Sequence, residues 1–203
     1  MANSLGLSAV GASVIVFVAV WLGYARARGS GAAVRLADTT FLVAFAVPST
    51  VVGVGLVLLW NRQGILGGVY GTDGMVLLAH VSRFLPLAAV FAAAILRQVP
   101  VSHEEASAVS GAGWLRTMTR VVLPQTAGGL AAVWVVTFVL AFGELGASVV
   151  VAPPGDSTLP IRIYTLIANT PSAHVAALAL VQALVVFCPL AAVGALLSLP
   201  RAT

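Results

Sequence analysis

The sequence has few charged residues, no lysine and a single cysteine. Charged residues make up 8% of its 203 positions, against about 25% in an ordinary soluble domain. Together with a hydrophobic content of 60%, this scarcity excludes a soluble globular fold. The lone Cys188 excludes a disulfide framework or a cysteine metal site built from this chain. Because a Walker phosphate loop needs a lysine, the chain cannot hydrolyse ATP by that route.

The sequence also lacks a set of residues that would make it an enzyme. No clustered nucleophile, base or metal ligands are found, so we expect no catalytic residue, metal or cofactor in this chain. His103-Glu104-Glu105 resembles the start of a zinc-protease helix, but Ser107 stands where the second histidine is required. The ten basic residues are all arginines, and their placement along the chain does not indicate nucleic-acid binding.

Long apolar runs dominate what remains. A membrane span needs roughly 20 apolar residues, and the runs of this length predict five helices within a single transmembrane domain, residues 1–203. Their approximate limits are Leu5 to Tyr24, Phe41 to Trp60, Gly74 to Leu96, Ala127 to Val151 and Val175 to Leu197. The fold class is therefore an all-α integral membrane protein.

The arginines orient these five helices. With alternating helices, residues 25–40, 97–126 and 198–203 share one side of the membrane. Seven arginines fall on that side: Arg26, Arg28, Arg35, Arg97, Arg116, Arg120 and Arg201. Arg62 and Arg162 lie in loops of the other side, each with an aspartate in its loop, Asp73 and Asp156. The positive-inside rule therefore predicts an N-terminus outside and a C-terminus in the cytoplasm.

The cytoplasmic loop of residues 100–125 is too polar to span and carries a regular pattern. Ser102 and Glu105 have the spacing of a capping box that opens a short helix, and Gly111 provides the turn that closes it. A second short helix is expected from Trp114 to Val122, before Pro124 begins the fourth membrane helix. On spacing alone, a helix-turn-helix lying on the membrane surface with Glu105 as a mere cap remains an alternative.

The same loop resembles a family signature. Glu105-Ala106-Ser107, three residues, Gly111, nine residues and Val121-Val122-Leu123-Pro124 are similar to the E-A-A, x3, G, x9, I-x-L-P pattern of permease subunits of binding-protein-dependent ABC importers. Ser107 replaces the second alanine. The resemblance implies a type I importer fold in which this loop forms coupling helices that dock on an ATP-binding subunit. The implied coupling residues are Glu105, Ala106, Ser107, Gly111, Leu123 and Pro124.

Four longer stretches narrow the resemblance to ferric-iron-type permeases, which are usually two fused halves. NSLGLSAVGASVIVFVAVWLGYARAR, FAVPSTVVGVGLVLLWN, VYGTDGMVLLAHVSRFLPLA and GELGASVVVAPPGDSTLPIRIYTL are similar to their second half. The chain is then either a half-size subunit or a truncated copy of a longer one. Ferric iron is the implied substrate; molybdate or sulfate, thiamine and polyamines are alternatives, because their permeases share the architecture.

Several partners follow from this resemblance. It implies an ATP-binding cassette ATPase that binds the ATP, an extracytoplasmic substrate-binding protein and a bacterial inner (plasma) membrane. Five helices are too few to enclose a path, so a second permease half is expected, either an identical copy or a sister subunit. The alternative from another class is an ATPase-independent transporter or scaffold, whose activity and stability would not depend on Glu105 or Gly111.

Charged side chains within the predicted spans are the candidates for the substrate path. Arg83 on the third helix and Glu144 on the fourth both belong to the outer half of the bilayer, as counted by helical rise. His80 lies one turn from Arg83, and Gln182 lies at a similar depth on the fifth helix. These four form a predicted polar layer, and the alternative for His80 and Gln182 is that they are packing groups with satisfied hydrogen bonds. Either Arg83 and Glu144 pair to hold two helices together, or they gate the path.

Small residues and prolines indicate close contacts and bends. Gly143 and Ala147 have the spacing that lets another helix approach, and Gly53 and Gly55 are expected to serve the same purpose on the second helix. Pro48 is expected to kink that helix. Outside the membrane, Pro160 fits the first turn of a short interfacial helix.

Overall fold

The computed structural model of the protein describes residues 1–62, 65–155 and 158–198, and all regular structure in these ranges is helical. The charges predicted at Asp156 and Arg201 lie outside the described residues. The α-helices are α1 (Ala2–Arg28), α2 (Ala32–Ala46), α3 (Ser49–Trp60), α4 (Asp73–Leu96), α5 (Val101–Val109), α6 (Trp114–Thr117), α7 (Leu123–Phe142), α8 (Ser148–Val151), α9 (Leu159–Leu166) and α10 (Ser172–Ser198). A 3-10 helix covers Ile65–Val69, and a π-helical stretch covers Met118–Val122.

Four helical segments in the described part of the chain are long and apolar enough to cross a membrane. They are Ala2–Arg28, Asp73–Leu96, Trp114–Phe142 and Ser172–Ala195. The bent pair Val34–Ala46 and Ser49–Trp60 makes a fifth span if its two parts cross together. The first, third and fifth predicted spans are thus confirmed as long helices, and the first extends further at both ends.

The second predicted span is not one helix. Its two parts, α2 and α3, meet at an angle of 97°, with Val47 and Pro48 in extended conformation between them. Proline has no N–H and disfavours a helical residue before it, which explains why the helix stops at this point. The kink expected at Pro48 is therefore a complete break.

The fourth predicted span, Ala127 to Val151, is wrong at its C-terminal end. Helix α7 ends at Phe142, with Gly143 as its cap, and a turn leads into the single-turn helix α8. Glu144 therefore lies in a turn and not on a membrane helix. The depth that we assigned to it by counting helical rise does not apply.

Helices α1, α4 and α7 form the centre of the bundle. A side chain added at Gly11 would contact His80, and one added at Gly23 would contact Ala92, so α1 and α4 run parallel. One added at Gly129 would contact Ile95, and the Trp134 indole bonds to Ser13, so α7 runs antiparallel to both. These directions agree with the alternation predicted for the first, third and fourth spans.

The core has two apolar clusters along this bundle. One joins the C-terminal halves of α1 and α4 to α7 and the π-helical stretch, with Ile15, Ala89 and Val122 fully buried. The other joins the N-terminal halves of α1 and α4 to α3 and α8, and is centred on Met75, Ala79 and Ala147. The close approach predicted at Gly53 and Ala147 is confirmed, because a Cβ at Gly53 would stand 3.0 Å from the Ala147 carbonyl oxygen. No such contact forms at the other two glycines: a Cβ at Gly55 would meet nothing within 4 Å, and one at Gly143 would meet only carbonyl oxygens of α7.

Helix α10 lies at the edge of the bundle. None of the residues in its most apolar window is buried, and it packs only against α7 and α9 among the contacts described. Leu180, Leu184 and Phe187 are each more than 60% exposed, at 67%, 62% and 68%. Such a surface is stable only against lipid or another apolar chain.

Candidate functional site

Helix α5, the first arm of the loop at residues 100–125, has no buried residue. Glu105 and Ala106 are exposed on it, and Val109 is 91% exposed. A short helix that buries nothing within its own chain gains little packing energy there. Its exposed apolar side chains are therefore the feature expected of a surface that docks on another protein.

The capping box predicted for this helix is wrong. Helix α5 begins at Val101, its N-cap is Pro100, and no side chain caps it. The Pro100 carbonyl accepts a bond from the His103 N–H at 3.1 Å. Because the helix starts one residue after the proline, Ser102 already lies inside the first turn. Glu105 is therefore free of the capping role.

Gly111 closes the helix as expected. Its φ of +80° is in the left-handed region that favours glycine. The Gly111 N–H bonds to the Ala108 carbonyl at 2.9 Å, and the Ala112 N–H bonds to the Ser107 carbonyl at 3.1 Å. These two bonds form a Schellman motif. The Ser107 hydroxyl also lies 2.8 Å from that of Thr117, which holds the two arms of the loop together.

The second arm is continuous with the membrane helix. Residues Trp114 to Phe142 form one helical segment, and Pro124 occupies the first turn of α7 as predicted. Proline clashes with the carbonyl four residues back and lacks an N–H. The π-helical stretch accommodates this, since the Leu123 N–H bonds to the Met118 carbonyl five residues back. A displacement of this arm is therefore passed directly to α7.

The first arm is attached to helix α1 by an ion pair that the sequence reasoning missed. The Arg28 guanidinium pairs with the Glu104 carboxylate, with Nε at 2.8 Å from Oε1. The Tyr24 hydroxyl donates to the other carboxylate oxygen at 2.6 Å, and Arg28 also donates to the Val99 carbonyl at 2.9 Å. The sequence does contain a clue to this pair. Asp38, Glu104 and Glu105 are the only acidic residues on the arginine-rich side, so few carboxylates there could pair with the arginines.

The second arm is attached to the same end of α1 by aromatic packing. The Trp114 ring lies 5.7 Å from that of Trp21 and 5.9 Å from that of Tyr24, measured between centroids. Aromatic pairs at these separations contribute about 0.5–1.5 kcal/mol beyond the area that they bury. Both arms of the loop therefore contact the C-terminal end of α1.

The structure does not bring together all four residues of the predicted polar layer. Arg83 and Glu144 form no ion pair among the interactions of the described residues. The Arg83 guanidinium instead donates to the Phe45 carbonyl at 2.8 Å and to that of Val47, and it covers the Phe45 ring at 5.2 Å. It thus satisfies carbonyl groups that the break at Pro48 leaves free, at the negative end of the α2 dipole.

Replacing Arg83 with methionine should destabilise the protein. Hydrogen bonds to a charged donor contribute about 1.5–3 kcal/mol, so we expect a loss of about 2–4 kcal/mol in unfolding free energy in detergent. Arg35→Met is the control, since Arg35 is exposed. Equal unfolding midpoints for the two variants would contradict this assignment.

Glu144 caps the short helix α8. Its carboxylate accepts bonds from the Ala147 N–H at 3.1 Å and from the Ser148 N–H and hydroxyl at 2.9 Å each. The carboxylate is buried, and these three donors offset the cost of removing its charge from water. Ser4 similarly accepts a buried bond from the Leu159 N–H at 2.8 Å.

His80 is buried on α4, and Gln182 lies beside the Glu144 turn. His80 is 1% exposed, and neither of its ring nitrogens has a hydrogen-bond partner among the described residues. Gln182 shares a cavity of about 190 Å³ with Gly143 and Leu145. Whether these residues and Arg83 line a substrate path stays a prediction.

The comparisons with known proteins agree with this geometry. Residues 15–202 match the family described as "Binding-protein-dependent transport system inner membrane component". The chain belongs to this family and is a multi-pass membrane protein. It is 35% identical to ORF1 of Streptomyces antibioticus, which is described as an ABC transporter permease, over 78% of this chain and 68% of that protein.

Other relatives are named as permeases for several different substrates. The chain is 28% identical to the ferric transport system permease FbpB 1 of Haemophilus influenzae, over 81% of this chain and 25% of that protein. Relatives at 29% identity are described as 2-aminoethylphosphonate and spermidine/putrescine permeases, and the chain spans 55% and 48% of their lengths. The chain therefore spans about half or less of several relatives.

A solved structure shows the same fold. The chain has a TM-score of 0.71 to a chain of the MetNI methionine ABC transporter in an inward-facing conformation, at 19% identity, covering 95% of this chain and 92% of that one. The helical arrangement is therefore shared with a chain of that transporter. The resemblance inferred from the loop signature is confirmed at the level of the family.

Proposed function

We propose that this protein is the membrane-spanning permease subunit of an ATP-driven, binding-protein-dependent importer in a bacterial inner membrane. The observation that carries the proposal is helix α5, which buries nothing in its own chain yet is joined through Arg28 and Glu104 to a membrane helix. Such a helix receives a displacement from outside the chain and passes it inward. ATP is bound and hydrolysed by a separate ATP-binding cassette subunit.

Each coupling residue has a distinct part in this proposal. Glu105 and Ala106 form the exposed docking surface. Ser107 and Gly111 keep the two arms of the loop rigid. Leu123 and Pro124 lie where the second arm becomes α7, so ATP-driven closure of the ATPase tilts that helix. A substrate-binding protein delivers substrate to the opposite face.

A second permease half completes the path. Helix α10 exposes apolar side chains along its length, and a single bundle of five spans offers no enclosed route. Rocking of two such halves against each other moves substrate by alternating access. The N-terminus lies outside and the C-terminus inside in this arrangement, as the arginine distribution predicts.

A cysteine at Val109 tests the docking surface. Val109 is 91% exposed, so Val109→Cys in a Cys188→Ala background should cross-link to an ATP-binding cassette subunit in native membranes, identified by mass spectrometry. The matched control is Tyr164→Cys, which is also exposed, at 59%, but lies on the predicted outer side. The proposal fails if both cysteines trap the same partners or if Val109→Cys traps lipid alone. Either result would favour the ATPase-independent transporter or scaffold.

Ferric iron is the substrate that we propose for this importer. Similarity to the Haemophilus influenzae ferric permease supports it, while other relatives make phosphonate and polyamine the competing candidates. Uptake of radiolabelled ferric iron, 2-aminoethylphosphonate and spermidine by the assembled importer in vesicles distinguishes them. ATP-dependent accumulation of either organic substrate without iron uptake would overturn the ferric assignment.

A further inference from the structure

Two arginines on the second arm of the loop have no role in the function proposed above. Arg116 and Arg120 are exposed and one turn apart. Neither has an ion-pair partner within the part of the chain that the structure describes. This distinguishes them from Arg26 and Arg28, each of which pairs with a carboxylate. Two unneutralised guanidinium groups held this close attract an anion.

A shallow groove lies on one side of these arginines and a smaller cavity on the other. Both arginines line a groove of about 650 Å³ together with Trp114 and Leu115. Both also line a smaller cavity of about 260 Å³ against α5, beside Ser110. Within the described ranges, no acidic side chain lines either cavity. The surface therefore combines positive charge with an apolar wall, because Trp114 and Leu115 are 53% and 62% exposed.

The position of this surface along the helix indicates which anion it meets. The segment Trp114–Phe142 has 29 residues, whereas a hydrocarbon core of about 30 Å needs about 20. Since α7 alone supplies 20 residues, the π-helical stretch and α6 extend into the headgroup layer. The packing of Trp114 on Trp21 and Tyr24 is typical of the aromatic belt at this level.

We propose that Arg116 and Arg120 bind the phosphate of an anionic phospholipid, with an acyl chain against Trp114 and Leu115. The guanidinium groups contact the phosphodiester, for which their planar, forked geometry is suited. Because this surface lies on the arm that continues into α7, a bound lipid braces the arm where it leaves the bilayer. The site needs no assembled importer, and the proposal is independent of the transported substrate.

Native mass spectrometry of the purified full-length chain tests this site. The probes are phosphatidylglycerol and phosphatidylcholine of matched acyl chains, titrated into detergent-solubilised protein. A basic residue near an anionic membrane surface contributes about 1 kcal/mol. The double variant Arg116→Gln/Arg120→Gln should therefore bind phosphatidylglycerol about thirty-fold more weakly, since about 1.4 kcal/mol corresponds to a tenfold change. Binding of phosphatidylcholine should not change.

Two matched controls distinguish binding at this site from a non-specific effect of removing positive charge. Arg35→Gln/Arg162→Gln also removes two exposed arginines and should retain the phosphatidylglycerol affinity of the original chain. Arg116→Lys/Arg120→Lys keeps the charge but not the forked donors, and should give an intermediate affinity. Unchanged elution and melting of each variant shows that it is folded, as expected for exposed positions.

Three results would overturn the proposal. The first is equal phosphatidylglycerol binding by the original chain and by Arg116→Gln/Arg120→Gln. The second is displacement of the lipid by inorganic phosphate at equal concentration, which would make this a site for a free anion. The third is loss of a co-purifying acidic protein subunit in the double variant with lipid binding unchanged, which would assign the arginines to a protein interface.

Discussion

Replacing Gly23 with leucine should prevent the protein from accumulating in folded form. Helices α1 and α4 cross closely at this residue, and a Cβ at Gly23 would stand 2.8 Å from both the Ala92 Cβ and the Ala93 backbone nitrogen. The backbone of α4 at Ala93 cannot move away from the added side chain unless the two helices separate. Overpacking a tight contact costs about 1–3 kcal/mol per substitution, and this one adds four carbons against Ala92, a buried member of the larger apolar cluster.

Gly6 provides the matched control within the same helix. A Cβ there meets nothing within 4 Å, so Gly6→Leu should leave the yield and melting temperature of the purified protein unchanged. Gly23→Ala should fall between the original chain and Gly23→Leu. The measurement is the monodisperse fraction on size exclusion, followed by thermal unfolding in detergent. A Gly23→Leu protein that melts like Gly6→Leu would mean that α1 and α4 do not pack as described.

Much of the fold could be predicted from apolar runs, because bilayer thickness fixes the length of a span. The third predicted span differs from α4 by one residue, and the fifth from α10 by three at its start and one at its end. Hydropathy does not report where a helix stops within an apolar run. The break at Pro48 and the end of α7 at Phe142 lie within apolar sequence, and they depend on backbone hydrogen bonding and on tertiary partners.

The sequence predicts some residues of the candidate site and misses the partners of others, because only local conformations have a sequence signal. Gly111 and Pro124 were identified because a left-handed turn and a helix start have strong local signals. The partners of Arg83 and Glu144 were missed, because each charge is satisfied by backbone groups and not by the opposite charge. Backbone carbonyl and amide groups have no sequence signature, so pairing charged residues by depth was the wrong assumption.

Removing the charge of Glu104 should uncouple the loop from the membrane helices. The pair that it makes with Arg28 is largely enclosed, with side-chain exposures of 18% for Arg28 and 16% for Glu104. Glu104→Gln leaves the Arg28 guanidinium without its counter-charge and weakens the bond from Tyr24. Breaking a fully buried pair costs about 3–5 kcal/mol and an exposed one about 0–1. We therefore expect a loss of about 1–3 kcal/mol in unfolding free energy.

The functional loss should fall on transport and not on ATP hydrolysis. If α5 moves α1 through this pair, Glu104→Gln should lower transport about tenfold in the assembled importer, the change expected from about 1.4 kcal/mol of lost coupling, while ATP hydrolysis continues. The charge exchange Arg28→Glu/Glu104→Arg should restore much of the transport, because the pair forms again in reverse. A solely structural pair would instead lower transport and hydrolysis in parallel.

Glu105→Gln distinguishes the roles of the two adjacent glutamates, because the Glu105 side chain is exposed and that of Glu104 is not. Substitution at Glu105 should leave unfolding unchanged and lower both transport and ATP hydrolysis, since it disturbs docking of the ATPase. Substitution at Glu104 should lower stability and transport but preserve docking, measured by co-purification of the ATPase. If both variants lose the ATPase equally, Glu104 belongs to the docking surface and the connection to α1 through Arg28 does not carry the motion.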